Sequence, residues 1–322
     1  MKKIIKNISI IFQILLNKII LRRPDFSEKK IFLQGQLLDN INRQKTKISN
    51  FEDIEFSVFS QFGEDGIISW LTEKVPNIKK VFVEIGTQDY WEANTRYLIK
   101  SKKWKGYLIE GSKDDVKKIK RQRIYWQNDL RIIDAFINKD NINHIVENNI
   151  KETNIGLLSI DIDGNDYWVL ENINNLSPTF IVCEYNSIFG DIFKVSIPYD
   201  QEFIRNKSHH SNLYFGASLN AFICMLDNKG YNFLGTGSAG VNAFFVKKEF
   251  FSIFKSNIGS IKSFPSTARE CRDKNGMLTH ENLLTALHKI KEMEVFDFDE
   301  NRTKKIKDYK QLYTDNWMSY FK

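Results

Sequence analysis

Four short apolar runs of the sequence each end in an acidic residue: Glu84, Glu110, Asp161 and Glu184. Runs that are apolar almost throughout are typical of parallel β-strands covered on both faces. The carboxyl ends of such strands meet at one edge of an open sheet, where ligands bind, so we expect these acids to lie close together. Carboxylates at this edge can accept bonds from sugar hydroxyls, bind a cation or serve as a general base.

The segments after the first two runs indicate a nucleoside site. Gly86 follows the first run and permits a close approach of the backbone to a ligand. Glu110 lies roughly 20 residues further on, where nucleoside-binding folds hold the ribose hydroxyls, and Gly111 follows it. One glycine alone is a weak motif, and a carboxylate favoured by a helix N-terminus is the alternative for Glu110.

Asp161 begins the run DIDGND, which holds three carboxylates within six residues. Like charges at this density repel one another unless a cation offsets them. Mg²⁺ prefers hard oxygen ligands such as Asp161, Asp163 and Glu184. The run is not an EF-hand, because Gly164 holds the fourth position of such a loop and not the sixth. The alternative is a turn in which Asp163 or Asn165 caps the next helix.

Side chains further along the chain supply candidates for a base and for acceptor recognition. His210, paired with His209, is a candidate base because imidazole ionises near neutral pH, with an exposed loop histidine as the alternative. Aromatic and charged side chains follow the predicted strand at 179–183, where the acceptor site would be built. The candidates for acceptor binding are Tyr185, Asn186, Tyr199, Asp200, Arg205 and Tyr214.

Short apolar runs alternate with amphipathic stretches from residue 80 onward, which predicts an α/β fold. We expect a mostly parallel sheet with an antiparallel last strand. Ser112 and Asp115 have capping-box spacing at the start of one helix. Strands are predicted at 80–85, 106–109, 157–162, 179–183, 231–234 and 241–246, and helices at 93–100, 113–120, 167–173 and 219–228.

The two ends of the chain flank this α/β region. Residues 1–50 are predicted to hold a basic amphipathic helix, ended by Pro24, and a polar connector with a short helix around 31–38. Residues 1–23 would lie on an anionic membrane surface, or dock on the body or on a second copy in a homo-oligomer. The α/β domain is expected at 51–247, followed by a helical tail at 248–322.

The charge of the chain is concentrated at its start. The 322 residues carry a net charge of +7, but residues 1–50 hold eleven Lys/Arg and three Asp/Glu, which leaves −1 for the remainder. A nearly neutral body lacks the basic face expected of a nucleic-acid-binding protein. Cys183, Cys224 and Cys271 are odd in number and widely spaced, which fits the reducing cytoplasm and excludes a cysteine-based zinc site.

Several separated blocks resemble FkbM-type methyltransferases, which use S-adenosylmethionine. The blocks span about residues 56–247, and GASLNA (216–221) and GVNAFFV (240–246) are similar to members associated with bacterial surface polysaccharides. Tyr90 stands where the first loop of that family usually has a second glycine. The similar strings are SQFGEDGI (60–67), FVEIGTQDYWEANTRYLI (82–99), LLSIDIDGNDYWVL (157–170) and IVCEYN (181–186).

The resemblance implies a Rossmann-like class I methyltransferase fold and roles for particular residues. Glu110 would hold the ribose of the cofactor, and Asp129 would lie near its adenine, with a surface turn as the alternative. Asp161 would face the sulfonium. Apart from the resemblance, Asp161, Asp163 and Glu184 are candidates both for the base and for ligands of a metal ion. The methionine end would be lined by Glu84, Gly86 and Thr87, and the pocket braced by Gln61 and Glu64.

These inferences lead to an S-adenosylmethionine-dependent O-methyltransferase as the first hypothesis, with Mg²⁺ as an additional cofactor. Its acceptor would be a sugar of a bacterial surface glycan, or of a nucleotide- or lipid-linked precursor. The alternative is a non-catalytic nucleotide-sugar-binding or scaffold protein with the same fold. A metal-dependent hydrolase built on the DIDGND run is a third hypothesis, although it lacks the histidines that such sites often add.

Overall fold

The computed structural model of the chain describes residues 26–267 and 271–320, so the predicted helix in residues 1–23 lies outside the described part. Twelve strands are described: β1 (Val81–Ile85), β2 (Lys105–Glu110), β3 (Leu130–Asp134), β4 (Asn154–Ile160), β5 (Ser177–Glu184), β6 (Val195–Ser196), β7 (Tyr231–Thr236), β8 (Asn242–Lys247), β9 (Cys271–Arg272), β10 (Leu278–Thr279), β11 (Glu294–Asp297) and β12 (Arg302–Lys305).

The described helices alternate with these strands in the first two thirds of the chain. They are α1 (Phe26–Gln44), α2 (Glu64–Lys74), α3 (Arg96–Lys102), α4 (Lys113–Arg121), α5 (Arg123–Gln127), α6 (Ile142–Asn149), α7 (Asp166–Asn172), α8 (Arg205–Ser208), α9 (Leu219–Asn228), α10 (Phe251–Asn257), α11 (Leu283–Ile290) and α12 (Asp315–Ser319). No helix of the ranges 26–267 and 271–320 is both long and apolar enough to cross a bilayer.

Seven strands form one sheet in the order β3-β2-β1-β4-β5-β8-β7. The five from β3 to β5 are parallel to one another, and β8 is antiparallel to both β5 and β7. This confirms the predicted α/β fold with a mostly parallel sheet and an antiparallel last strand. The strand order reverses between β1 and β4, and ligands of doubly wound folds bind at such a switch point.

Both faces of the sheet are buried, as continuous apolar strands predict. Successive side chains of β1 point to opposite faces: Val83 and Ile85 belong to one apolar cluster, and Phe82 to another. In β2, Tyr107 and Ile109 join the first cluster and Leu108 the second. The alternation holds the two strands rigidly between helical layers, and this fixes the positions of the residues at their carboxyl ends.

The segment before the sheet differs from the predicted connector with a short helix at 31–38. It is the 19-residue helix α1. Asp39 anchors it, because its carboxylate accepts a hydrogen bond from Ser69 at 2.5 Å and pairs with Lys102 at 2.6 Å. Asn42 also donates to the carbonyl of Ile54 at 2.8 Å. Such tertiary contacts extend a helix that sequence propensity alone leaves short.

The predicted helical tail at 248–322 is only partly helical. Alongside α10, α11 and α12 it holds four short strands. β11 pairs antiparallel with β12 and with β6, which makes a three-stranded sheet beside the main one. Ile306, Leu312 and Trp317 of the tail are buried in the same apolar cluster as Val83 of β1. The tail is therefore packed on the α/β core.

Candidate active site

A cleft of about 820 Å³ opens at the carboxyl edge of the parallel strands. Segments that follow β1, β2, β3, β4 and β5 line it, and residues of the tail form part of its wall. The cleft therefore lies at the switch point where doubly wound folds bind ligands. All four strand-end acids line it, as the sequence predicts: Glu84, Glu110, Asp161 and Glu184.

Gly86 is required by the close approach of two strand ends. Its φ is +78°, and a Cβ built there would lie 1.7 Å from the backbone oxygen of Asp161. The strands are tied at this point, because the amide of Asp161 donates to the carbonyl of Ile85 at 2.9 Å. Only glycine combines this φ with this proximity at no steric cost. The residue thus sets the floor of the cleft.

Glu110 holds the loop after β1. Its carboxylate accepts hydrogen bonds from the amides of Thr87 at 3.0 Å, Gln88 at 2.8 Å and Ser112 at 2.7 Å. The side chain is 8% exposed and lines the cleft. A carboxylate has about four acceptor positions, so one remains for a hydroxyl of a ligand. Glu110 is therefore both a brace of the loop and an available acceptor.

Glu84 is a brace of a different segment. Its carboxylate accepts from the amide of Asn94 at 2.9 Å, and from the amide at 3.3 Å and the hydroxyl of Thr95. These bonds hold the turn that leads into α3. Burial raises the pKa of Glu84 to about 7, against the hydrogen bonds from Thr95 and Asn94 that lower it.

Four buried polar atoms of the cleft wall have no hydrogen-bond partner among the described residues. Buried polar groups in folded proteins are almost always paired, so such atoms indicate a missing ligand or ordered water. They lie after β1, after β4, at the end of β5 and at the start of β8, on different sides of one cavity. The atoms are Thr87 Oγ1, Asn165 Oδ1, Glu184 Oε2 and Asn242 Oδ1.

Three carboxylates come together beside this floor. One ligand atom each of Asp161, Asp163 and Glu184 lies within 4.8 Å of the others. The pKa of Asp161 and of Glu184 is raised well above its usual range, mainly by burial and then by repulsion from the neighbouring carboxylates. The cluster therefore favours holding a proton or a cation.

Arg205 neutralises one member of this cluster. Its guanidinium pairs with Asp163, donates through Nε to the carbonyl of Asn212 at 2.7 Å and lies 3.8 Å from the ring centre of Phe215. These contacts fix the side chain in the wall of the cleft, where the sequence predicts it. The arginine thus offers one fixed positive charge beside three acids.

The turn after β4 is held differently from the predicted cap. No side-chain cap bond is formed by Asn165 at the start of α7, and Asp163 has a left-handed φ of +57°. Asp166 instead accepts from the amides of Ile162 at 2.7 Å and Gly164 at 2.9 Å. The alternative of a helix cap by the Asp163 or Asn165 side chain is therefore not realised, and both residues line the cleft instead.

Six of the predicted residues lie outside the cleft lining, and four of these six belong to the predicted base and acceptor site. His210 is exposed and its ring packs against His209, so it does not reach the acids. The hydroxyl of Tyr199 donates to Asp140 at 2.9 Å, and that of Tyr214 donates to the backbone of β11 at 2.5 Å. The exposed carboxylate of Asp200 accepts from a neighbouring amide in its own turn.

Asp129 is at the opposite edge of the sheet. It is exposed and directly precedes β3, so it lies at the amino end of that strand and not at the carboxyl end. The sequence reading missed β3, and this shifted the predicted adenine contact to the wrong side. The segment that follows β3 lines the cleft instead, and Phe136 in it is 54% exposed.

Of the remaining predicted residues, some line the cleft and one holds a lining residue in position. Gln61 and Gly111 line the cleft. Glu64 does not line it, but its carboxylate accepts from Asn242 at 2.9 Å and so positions that amide. Tyr185 and Asn186 line the cleft with their polar groups engaged, Tyr185 donating to the carbonyl of residue 264 and Asn186 to those of residues 213 and 215.

Several lining residues were not predicted from the sequence. Trp91 is 55% exposed at the cleft and lies 4.7 Å below the guanidinium of Arg96. An aromatic residue directly after a ligand-binding loop is a signal that could have identified it. No local sequence pattern predicts that the tail lines the cleft, because its residues are far along the chain from the strands that form the cleft. The tail residues at the cleft are Ser266, Cys271, Glu281, Leu283 and Ala286.

No protein-family model and no curated protein matches the chain. Among solved structures it is similar to the N-terminal domain of EvdMO1 with S-adenosylhomocysteine (SAH) bound, at 10% identity over 70% of this chain and 99% of that one, with a TM-score of 0.39.

Two further solved structures show a similar degree of likeness. An O-methyltransferase from Bacillus cereus in complex with SAH is 13% identical over 70% and 93% of the two chains, with a TM-score of 0.38. An S-adenosylmethionine-dependent methyltransferase from Aquifex aeolicus is 11% identical over 65% and 97%, with a TM-score of 0.33. The resemblance to FkbM-type methyltransferases stays a prediction.

Proposed function

We propose that the chain is an S-adenosylmethionine-dependent methyltransferase. The observation that carries the proposal is the set of partnerless polar atoms around the switch-point cleft, together with Glu110 beneath the loop after β1. A ligand that satisfies them must present several hydrogen-bonding groups along one cavity. A nucleoside joined to an amino acid has that character.

The residues of the cleft fit this cofactor. Glu110 would accept from the ribose, the exposed ring of Phe136 after β3 would contact the adenine, and Thr87 Oγ1 would gain the partner it lacks near the methionine end. When bound, the cofactor supplies an electrophilic methyl group for in-line displacement, a reaction helped mainly by positioning. Gln61 lines the same wall, and Glu84 holds the turn before α3 in place.

The acid cluster would remove the proton of the acceptor. A hydroxyl is a poor nucleophile at neutral pH, so its methylation needs a base or a metal ion. Asp161 and Glu184 have raised pKa values, so one of them takes up a proton more readily than an exposed carboxylate. We infer that this pair is the base. In a second arrangement, the same pair and Asp163 would hold Mg²⁺ through their carboxylate oxygens.

We propose a sugar of a bacterial surface glycan, or of a nucleotide- or lipid-linked precursor, as the acceptor. This part rests on the resemblance to FkbM-type methyltransferases. One exposed aromatic side chain at the cleft, Trp91, is compatible with it, because a flat apolar face with a polar rim suits a sugar ring. Arg205 would contact a charged group of such a precursor. The reducing cytoplasm is the proposed compartment.

The first experiment is calorimetric titration with SAH, with Mg²⁺ and with a chelator. Saturable binding supports the cofactor class, and binding that fails under both conditions overturns it. Transfer of a labelled methyl group to nucleotide sugars and to lipid-linked glycans then tests the acceptor. Binding of SAH with no transfer to any glycan fraction would favour the non-catalytic scaffold.

Asp161→Asn tests the acid cluster, and a chelator separates its use as a base from its use as a metal site. Loss of the base lowers methyl transfer by about a hundredfold while SAH still binds. Full activity of the unaltered chain in chelator would exclude Mg²⁺, and activity that returns only with added Mg²⁺ would favour the metal. Turnover that needs a divalent ion and no methyl donor would support the hydrolase instead.

A further inference from the structure

Helix α1 exposes a broad apolar face. Five large apolar side chains on it are between 45% and 63% exposed. At about 100° per residue they fall within about 160° of one side of the helix. Exposed apolar groups scattered singly are ordinary, but a contiguous set of this kind marks an interaction surface. The five residues, called the α1 face below, are Ile31, Leu33, Leu37, Leu38 and Ile41.

The opposite side of α1 is fixed to the body, so the α1 face cannot turn inward. Gly35 is buried, and a Cβ there would lie 2.3 Å from the side chain of Val58. Asp39 is bound by Ser69 and Lys102 on the same side. The helix therefore presents its apolar side outward as a rigid surface.

The acids of α1 are turned away from its exposed side. Glu28 pairs with Lys100 and lies 3.9 Å from Arg96, and the carboxylate of Asp39 is engaged by Lys102. Lys29 and Lys30 are exposed at the start of the helix. The apolar surface is thus bordered by positive charge and carries no acidic side chain of its own helix.

The chain before α1 continues this charge pattern. Residues 1–23 hold six Lys/Arg and no Asp/Glu, whereas the chain from residue 51 onward has a net charge of −1. Apolar residues recur at helical spacing in the same stretch, at positions such as Ile8, Ile11, Leu15 and Ile19. Basic and apolar residues are therefore concentrated together in the sequence of residues 1–44.

We propose that the α1 face lies on an anionic lipid membrane, together with residues 1–23. An amphipathic helix with apolar side chains flanked by lysines binds at the boundary of anionic headgroups and acyl chains. A second copy of the chain, or residues 1–23 folded back on α1, would place like charges against one another. The inference goes beyond the proposed reaction, and binding can be measured without any turnover.

Flotation of the full chain with lipid vesicles tests the proposal. The chain is expected to bind phosphatidylcholine vesicles that contain phosphatidylglycerol, to bind pure phosphatidylcholine weakly and to dissociate as salt is raised. Leu33→Gln with Leu37→Gln is expected to weaken the binding by about tenfold, since two inserted side chains are lost. Trp126→Gln, at a side chain 69% exposed on α5, is the matched control and should bind like the unaltered chain.

Other results of these experiments would show that a second copy of the chain, or residues 1–23, covers the α1 face. Equal binding by the Leu33→Gln/Leu37→Gln variant and the unaltered chain would overturn the proposal. So would a dimer, measured by light scattering, that this variant converts to a monomer, because the α1 face would then belong to a second copy. A variant with Ile11→Gln and Leu15→Gln should also bind more weakly. Stronger vesicle binding by that variant would show that residues 1–23 cover α1, and would reject the membrane.

Discussion

At the residue scale, the sequence identifies which acids meet but not what they do. Glu84, Glu110, Asp161 and Glu184 line one cleft because parallel strands bring their carboxyl ends to one edge. Two of the four are engaged by backbone amides of the loop between residues 87 and 95. The course of this loop depends on where the chain returns after β1, and the spacing of residues in the sequence does not encode it. The resemblance therefore predicts contacts with a ligand, and the structure shows that Glu84 and Glu110 also hold the loop after β1 in place.

Glu110→Ala tests the double role of this carboxylate. The amides of Thr87, Gln88 and Ser112 would lose their acceptor, and a partly buried unpaired amide costs about 1–3 kcal/mol. We expect SAH affinity to fall at least about tenfold in calorimetry, with a lower melting temperature. Glu110→Gln keeps one acceptor oxygen, so its SAH affinity and melting temperature should lie between those of Glu110→Ala and of the unaltered chain. Unchanged affinity in Glu110→Ala would remove the ribose role.

Burial of Glu84 predicts a pH dependence of stability. Its folded pKa is raised to about 7 from an ordinary 4.5, so its contribution is full below 4.5 and is lost as pH rises towards about 7. Glu84→Gln removes this titration. Between pH 4.5 and about 7, the unfolding free energy of the unaltered chain should therefore fall by about 3 kcal/mol more than that of the variant. Urea unfolding across pH measures the two slopes. The exposed Glu92→Gln is the control, and a slope in Glu84→Gln as steep as in the control would contradict the prediction.

At the element scale, four of the predicted strands are apolar almost throughout and lie inside the main sheet. β1, β2, β4 and β5 are almost wholly apolar and were predicted within a few residues. β3 was missed because it is an edge strand with Arg131 and Asp134 in it, so no continuous apolar run marks it. An edge strand buries less of each face and its sequence is correspondingly mixed. The misplaced role of Asp129 follows from this one omission.

The junction of β1 and β4 depends on one glycine. Gly86→Ala would place a Cβ against a backbone oxygen that cannot move without breaking the sheet, in addition to a left-handed φ. We expect a loss of about 3 kcal/mol of unfolding free energy and of measurable SAH binding. Gly230→Ala is the matched control, because its φ of +89° is also left-handed but nothing lies within 4 Å of its Cβ. It should lose only about 1 kcal/mol. Equal losses in the two variants would show that the strand contact is unimportant.

At the scale of the whole molecule, the tail completes the cleft although the sequence marks it only as a helical appendage. Its strands β11 and β12 are short and rich in charge, and β11 pairs with β6, which lies about a hundred residues earlier. Pairings so distant leave no local pattern. The side chain of Trp317 is fully buried beside Tyr185 of the cleft and donates to Ser263 at 3.0 Å.

Trp317→Ala therefore tests whether tail and sheet form one cooperative unit. Removing a buried indole leaves a cavity and should cost about 4 kcal/mol in urea unfolding. Because the indole shares an apolar cluster with β1, unfolding should remain a single transition that shifts as a whole, and SAH should protect both tail and sheet. Tyr320→Ala, at a side chain 47% exposed in the same segment, should cost less than about 1 kcal/mol. A separate early transition confined to the tail would show that its packing does not support the cleft.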